Sequence, residues 1–552
     1  MSNKFIIKLL SFILLVAMLA GSLFACFDES LLSSTSSSST TGGLVSTTIV
    51  PTTRPTTTTR PTASTTTTRP TTTTKPTTTG NGGGDVGDCI EHIDNDAKTS
   101  NDYGWCDVCG ADVIETIDFY NFNDLHGKFE DGDSHPGVDE LTAYLEHRIT
   151  SADEYTVLLS SGDMWQGGNA SNTTKGKIIT DWMNYLGFAA MALGNHEFDW
   201  GTDEIRENVA IAEFPILGIN IYDNATGERV DYCEASVMIE RGGVQIGIIG
   251  AIGDCHSSIA KDKNQDFNFK VGNELTNLVK AESQKLRSEG ADVIVYLLHS
   301  DDADYDLSLS SGNYVDIVFE GHTHQAYATI DSYGVPHVQD GGDNKYNAMS
   351  HVELDVNFAN GDVTVNTYRY IPHSECSSYP GSSAIENLLK KYEEEISKGY
   401  EILGYNAKYR DDSEIEALVA QLYYEAGVKK WGNKYNIVLA GGSINTRSPY
   451  NLYVGDVTYG DLQSLLTFDN SLYLCAIKGS YLKSRFLNNS NYVKYSKITA
   501  SQVKDNETYY IIADSWTALY DWAQCTPIEI YDETTFARDL LAEYIKNGGW
   551  SK

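Results

Sequence analysis

From Asp112 onward, short apolar segments alternate with longer stretches whose apolar residues recur at helical spacing. The pattern predicts strands over 116–123, 155–160, 188–193, 215–221, 244–251, 292–298 and 315–319. Helices are predicted between them over 137–149, 175–186 and 274–290. Alternation of this kind belongs to the α/β class with a mainly parallel sheet. Further on, a charged run over 386–399 reads as helix bridging two domains, and 413–426 reads as an amphipathic helix.

Polar residues gather directly after the strands: Asp124-Leu125-His126, Gly162-Asp163, Gly194-Asn195-His196-Glu197-Phe198-Asp199, His299 and Gly321-His322-Thr323-His324. Each group alone is weak, because Asn, Asp and Gly are ordinary turn residues and a lone His is usually a satisfied core or surface group. Together they fall where α/β folds build their sites, outside the carboxyl ends of strands. They offer oxygen and nitrogen donors without a thiolate, which suits paired divalent ions of the Zn, Mn or Fe kind rather than soft metals or calcium. Two such ions ~3.5–4 Å apart can share a carboxylate and clamp a phosphoryl group.

Composition narrows the partners. The 552 residues are too many for one ordinary domain. Lys+Arg 40 against Asp+Glu 76 gives a formal charge of −36, which repels a polymeric nucleic acid. A small phosphate ester held by a metal is not excluded, since the ion then dominates the local field.

Residues 1–25 read as a secretory signal, with Lys4 and Lys8 before a short apolar run over 9–20 that falls short of a membrane span. The ending Leu23-Phe24-Ala25-Cys26 resembles a bacterial lipobox, with Phe24 departing from the usual small residue. It predicts either a lipid on Cys26, which would hold the protein at the extracellular face of the cell membrane, or plain cleavage and secretion. Residues 26–84 are a Ser/Thr/Pro-rich stalk that cannot bury a core. Residues 85–111 hold Cys89-x2-His92 and Cys106-x2-Cys109, spaced either for a separate structural zinc or for disulfides. Cys233, Cys255, Cys376, Cys475 and Cys525 read as buried or free thiols.

The blocks Asn123-Asp124-Leu125-His126-Gly127, Gly162-Asp163-x4-Gly168, Gly194-Asn195-His196-Glu197-Phe198-Asp199, His299 and Gly321-His322-Thr323-His324 resemble the calcineurin-like metallophosphoesterases. Their order and wording are most similar to the 5′-nucleotidase, UDP-sugar hydrolase and cyclic-nucleotide phosphodiesterase family. The resemblance covers roughly 112–552. It implies a four-layer α-β-β-α metallophosphoesterase domain over 112–372, a helical linker over 373–412 and a smaller α+β C-terminal 5′-nucleotidase-type domain over 413–552. Carried over residue by residue, Asp124, His126 and His324 would hold one divalent ion, Asn195, His299 and His322 the second, and Asp163 would bridge them. A metal-bound water or hydroxide would attack phosphorus, His196 would stabilise the charge developing on the phosphoryl oxygens, and Asp199 would orient His196.

Agreement with the family weakens in the second half. Where the family carries Gly-Gly-x-Ile-Arg, this chain has Ala440-Gly441-Gly442-Ser443-Ile444-Asn445-Thr446-Arg447, so Asn445 takes the arginine position and Arg447 follows two residues later. Phe468 and Asn470 match the family pattern, with Phe468 the implied first plate for a base. In place of a Gly-Gly-Asp-Gly-Tyr segment the chain has 513–522, where Trp516 and Tyr520 read either as stacking plates or as core. The resemblance implies a 5′-nucleotidase with intact hydrolytic chemistry and rewritten recognition, and the lipobox-like ending and stalk add the expectation of surface anchoring. The alternatives are a 2′,3′-cyclic nucleotide phosphodiesterase, a UDP-sugar hydrolase, or a surface binding protein that has lost its chemistry. The full set of ligand positions opposes the last.

Overall fold

The strongest apolar runs are strands because both of their faces are covered, so neither face needs polar residues. The computed structural model describes residues 52–53, 114–129, 137–149, 153–300, 302–342, 347–358, 360–379, 381–444, 446, 452–532 and 534–550. The signal-like segment with Cys26, the Cys89, His92, Cys106 and Cys109 module, Asn445, Arg447 and all but two residues of the stalk stretch lie outside them.

One sheet has seven strands in the spatial order Thr52–Thr53, Val363–Pro372, Asn347–Asn357, Ile114–Phe122, Thr156–Ser160, Ala190–Ala192, Ile216–Leu217. A second has six, in the order Tyr327–Ile330, Pro336–Gln339, Ile317–Glu320, Val293–His299, Val244–Ile252, Ser236–Arg241. Side chains alternate between the faces of a strand. Ile117, Phe119, Val157 and Leu159 of the first sheet therefore meet Ile246, Val293, Val295 and Leu297 of the second in one core. Tyr120, Phe122 and Leu158 point the other way, onto helices Val138–Ile149 and Lys177–Leu186. Ile294, Tyr296 and Leu298 pack against Leu275, Val279 and Leu286 of helix Asn273–Ser288. The result is four layers, α-β-β-α. Truncating Phe119, which is 0% exposed between the sheets, to Ala would cost on the order of 3–5 kcal/mol.

The sheets are mixed: parallel where the strand–helix alternation predicts it, and antiparallel in strands that the alternation does not reach. In the first sheet the four strands at one end, Ile114–Phe122, Thr156–Ser160, Ala190–Ala192 and Ile216–Leu217, run parallel, and in the second so do the four central ones, Val244–Ile252, Val293–His299, Ile317–Glu320 and Pro336–Gln339. The antiparallel strands are chiefly Asn347–Asn357 and Val363–Pro372 in the first sheet, with Ser236–Arg241 and Tyr327–Ile330 at the two edges of the second. The strand predicted over 215–221 stops at Leu217, because buried Asn220 uses its side chain to bind the backbone of Ile252 and Lys270. The helix predicted over 175–186 starts at Lys177, since Lys175 and Gly176 both have positive φ.

The charged run over 386–399 is two helices, Ser383–Lys391 and Glu393–Gly399, interrupted at Tyr392, whose hydroxyl donates to Asp181 at 2.6 Å. Strand Ile402–Asn406 follows and pairs with Gly455–Thr458. Helix Asp412–Trp431 is capped by Asp411, whose carboxylate accepts the Glu414 N–H at 3.0 Å. It covers one face of a five-stranded sheet ordered Val493–Ser496, Ile437–Gly442, Thr508–Asp514, Leu472–Lys478, Cys525–Ile530. Leu482 and Phe486 cover the other face. Short helix Asn169–Thr174 of the metal domain meets this C-terminal unit. Its Thr173 hydroxyl donates to Gln463 at 3.1 Å, and Asn169 lies so close to Gly399 and Gly460 that a side chain at either glycine would collide with it.

Candidate active site

The five polar groups converge because their strands end on one side of the parallel segments of the two sheets. Asp124 and His126 follow Ile114–Phe122, Asp163 follows Thr156–Ser160, and Asn195 and His196 follow Ala190–Ala192. His299 is the last residue of Val293–His299, and His322 and His324 follow Ile317–Glu320. Among the described residues, eight non-glycine positions have positive φ, and five of these are Asp124, His126, Asp163, His322 and His324. Such backbone strain persists only where the surroundings over-determine it, and it clusters at sites.

Two histidines are aimed by backbone carbonyls. His126 donates through Nδ1 to the Gln166 carbonyl at 3.0 Å, and His299 through Nδ1 to the Ser161 carbonyl at 2.7 Å. A ring fixed in that way directs Nε2 inward as the ligating atom. His126 Nε2 lies 3.1 Å from His324 Nε2, and both approach Asp124 Oδ1, at 3.8 and 3.3 Å. On the other side, His299 Nε2 lies 3.1 Å from Asp163 Oδ2 and 3.3 Å from Asn195 Oδ1. The His322 ring stands edge-on to His299, with centroids 5.6 Å apart. Asp124, His126 and His324 place ligand atoms within 4.8 Å of one another, as do Asp124, Asp163 and His299.

This donor set fits divalent metal. Asp124, His126, Asp163, Asn195 and His299 are each at most 2% exposed, so water cannot satisfy them. Burial pushes the Asp163 carboxyl up, but His299 and His196 beside it hold it well below the usual range. Burial pushes His299 down, and Asp163 more than reverses this, to about 9. Buried carboxylates that raise a neighbouring imidazole in this way create a field that favours a cation.

At the rim, His196 donates through Nδ1 to Asp199 Oδ2 at 2.7 Å, and its backbone N–H donates to Asp163 Oδ1 at 2.8 Å. The ring stands edge-on to His126, with centroids 5.0 Å apart. Its other neighbour comes from the C-terminal domain: Phe468 stacks against it at 5.9 Å and 24°. Trp516 and Tyr520 contact each other at 4.4 Å, and the Tyr520 hydroxyl donates to the Ile259 carbonyl of the metal domain at 2.9 Å. Asn470 Oδ1 accepts the Ser515 hydroxyl at 3.3 Å, which ties the Phe468 loop to helix Ser515–Leu519.

Three contributors are not evident from local sequence. Glu197, the residue after His196, accepts four backbone N–H groups: Gly194 at 2.7 Å, Asp163 at 2.8 Å, Met164 at 2.9 Å and Trp165 at 3.2 Å. It thereby joins the Asp163 loop to the Asn195 loop. Burial and the nearby Asp163 charge push its carboxyl up to about 7. The glycines between these loops permit the closeness: at Gly162, with φ +99°, a Cβ would come within 2.7 Å of Gly194 N and 2.8 Å of His299 Nδ1. Gln339 grips the loop bearing His322 and His324, donating to the Gly321 carbonyl at 3.0 Å and accepting from Thr323 Oγ1 at 2.8 Å and Gln325 N at 3.0 Å. A buried amide ending an apolar strand was its only sequence signal. Cys255 places its sulfur within 4.8 Å of ligand nitrogens of His299 and His322. Its S–H is donated to the His299 carbonyl and burial pushes its pKa well up, so it is held as the thiol.

Comparison with known proteins gives two family matches: calcineurin-like phosphoesterase over 118–326, and 5′-nucleotidase, C-terminal domain, over 397–512. The chain is similar to an apyrase from Tabanus yao, 26% identical over 407 residues that span 67% of this chain and 72% of the relative. It is also similar to a 5′-nucleotidase from Bos taurus, 26% identical over 387 residues, 63% of this chain and 66% of the relative. Its fold matches the 5′-nucleotidase precursor of Thermus thermophilus with a TM-score of 0.59 at 19% identity, covering 78% of this chain and 96% of that one.

Proposed function

For a chain that belongs to the 5′-nucleotidase-type calcineurin-like metallophosphoesterases, and is therefore a metal-dependent phosphoester hydrolase, we propose that it acts as a 5′-nucleotidase, releasing phosphate from nucleotides with two divalent ions of the Zn or Mn kind. Asp124, His126 and His324 would hold one ion and Asn195, His299 and His322 the other, with Asp163 between them. When bound, such a pair supplies a nucleophile of lowered pKa and neutralises phosphoryl charge.

The remaining work falls to the chain itself. His196 stands at the rim with a ring nitrogen within 4.8 Å of ligand atoms of His126 and Asp163; because Asp199 takes its Nδ1–H, it is assigned to the phosphoryl oxygens and not to the ligand set. With Nδ1–H given to Asp199, it acts through Nε2, and the Asp199 carboxylate stabilises the imidazolium that donates to the developing charge. Phe468 stands beside His196 and offers a face to the base.

The observation that carries this reading is the convergence of the ligand-type side chains from five strand ends on one buried centre, with the His196–Asp199 pair at its rim. The test is chelator-stripped protein assayed with added Mn or Zn on mono-, di-, cyclic and sugar nucleotides. Release of phosphate from AMP is the expected result. Turnover only of a cyclic or sugar nucleotide would replace the substrate assignment, and no turnover with any divalent ion would overturn the reading.

We further propose that Cys26 is lipidated after loss of 1–25, that 26–84 raises the enzyme from the outer face of the membrane, and that Cys89, His92, Cys106 and Cys109 bind a separate zinc. Among the described residues, no helix is long and apolar enough to cross a membrane. Replacing Cys26 with Ser should abolish incorporation of labelled palmitate, and unchanged labelling would refute the anchor.

A further inference from the structure

Outside the metal loops, a lysine of one domain meets a charge pair of the other. Lys175 closes helix Asn169–Thr174 with φ 52° and ψ 46°. A helix end of this shape is ordinarily closed by glycine, since a Cβ strains the left-handed region. Retaining lysine there keeps the strain and fixes the direction of a long cationic side chain. Its backbone is held on both sides, the N–H by the Asn172 carbonyl and the carbonyl by Asn208 Nδ2 at 2.8 Å.

The Lys175 ammonium lies 3.2 Å from Asp469 Oδ2 and 5.0 Å from the Trp200 ring. Asp469 Oδ1 is bound by Arg538, which is 5% exposed and also donates to the carbonyls of Leu466 at 3.2 Å and Thr467 at 3.3 Å. Arg538 already balances the Asp469 charge and organises its loop from within the C-terminal domain. Lys175 is a second cation, delivered from the metal domain. What it adds is a tie between Asp469 and that domain. The residue before Asp469 is Phe468, the ring that stacks on His196.

We infer that Lys175 is a positioning residue: through Asp469 it seats the Phe468 ring against His196 and so sets the KM for substrates that carry a base. The functional half of this rests on the nucleotidase reading. Domain contact does not hang on the lysine, because Thr173–Gln463 and the packing of Asn169 on Gly399 and Gly460 remain without it. A variant at 175 therefore perturbs the Phe468 loop while the domains stay docked.

The test uses the full chain with Mn, comparing wild type, Lys175→Met and Lys175→Arg. Hydrogen–deuterium exchange of the segment 466–470 reads the clamp, with 123–127 as the internal reference. Exchange at 466–470 should quicken in Lys175→Met relative to the reference and return toward wild type in Lys175→Arg. The ratio of the KM for AMP to the KM for 4-nitrophenyl phosphate should rise about fivefold in Lys175→Met and be restored in Lys175→Arg, the size expected of a partly exposed ion pair. Unchanged exchange overturns the clamp, and faster exchange with an unchanged KM ratio overturns its role in recognition. Should the wild type hydrolyse no phosphoester, exchange still decides the clamp, and the nucleotidase reading is what fails.

Discussion

The ligand loops of the metal domain and the recognition loops of the C-terminal domain are held by different means. In the metal domain, buried side chains bind backbone: Glu197 gathers four N–H groups, Gln339 holds the His322–His324 loop, and carbonyls orient His126 and His299. In the C-terminal domain, charged groups hold the Phe468 loop, the buried Arg538 guanidinium at the Leu466 and Thr467 carbonyls and at Asp469, and the Lys175 ammonium at Asp469, while the Phe468 ring itself is partly exposed. A group fixed through backbone tolerates little change, because losing one anchor leaves several buried donors unpaired. A ring or an exposed charge can be exchanged at small cost. The departures from the family pattern lie in the C-terminal domain, at Asn445, Arg447 and 513–522, while Phe468 and Asn470 keep it.

The comparison can be broken most decisively at Asp163. Asp163→Asn removes the carboxylate between the two ligand sets and should lower kcat by more than about 10³-fold, with metal content by elemental analysis falling below two per chain. A variant that kept both ions and activity within tenfold would remove Asp163 from the centre. Next in size, His196→Ala should lower kcat by about 10²–10³-fold while both metals stay bound, because it deletes one transition-state donor and no ligand. Loss of metal in that variant would move His196 into the ligand set.

The backbone anchoring itself is tested at Glu197. Glu197→Ala strands four buried N–H groups and should cost about 3 kcal/mol or more in urea unfolding of metal-free protein. A loss below ~1 kcal/mol would mean that water replaces the carboxylate and that the loops are less dry than their burial indicates. The smallest effect belongs to the other region. Phe468→Ala should raise the KM for AMP about tenfold relative to that for 4-nitrophenyl phosphate, the worth of one lost stacking contact. An equal change for both substrates would make Phe468 a support for His196 rather than a plate for the base.

Much of the metal domain was legible in sequence, because strands buried on both faces read as continuous apolar runs and polar ligands at their ends interrupt them sharply. The long antiparallel strands Asn347–Asn357 and Val363–Pro372 were not read. In the first, Val352, Leu354 and Val356 alternate with His351, Glu353 and Asp355, a period-two signal that strand–helix alternation upstream does not predict. The break at Lys175–Gly176 was hidden for another reason: left-handed backbone at a lysine has no local signature.

By itself the sequence determined which side chains could serve as ligands, that they follow strands, and that His196 and Asp199 stand three residues apart, since short-range geometry is carried by neighbours along the chain. Tertiary structure alone decided which of them meet. His126 and His324, 198 residues apart, come within 3.1 Å, and Lys175 reaches Asp469 from another domain. Such approaches are consequences of how two sheets and a docked domain pack, and packing is a property of the whole chain that no local pattern specifies.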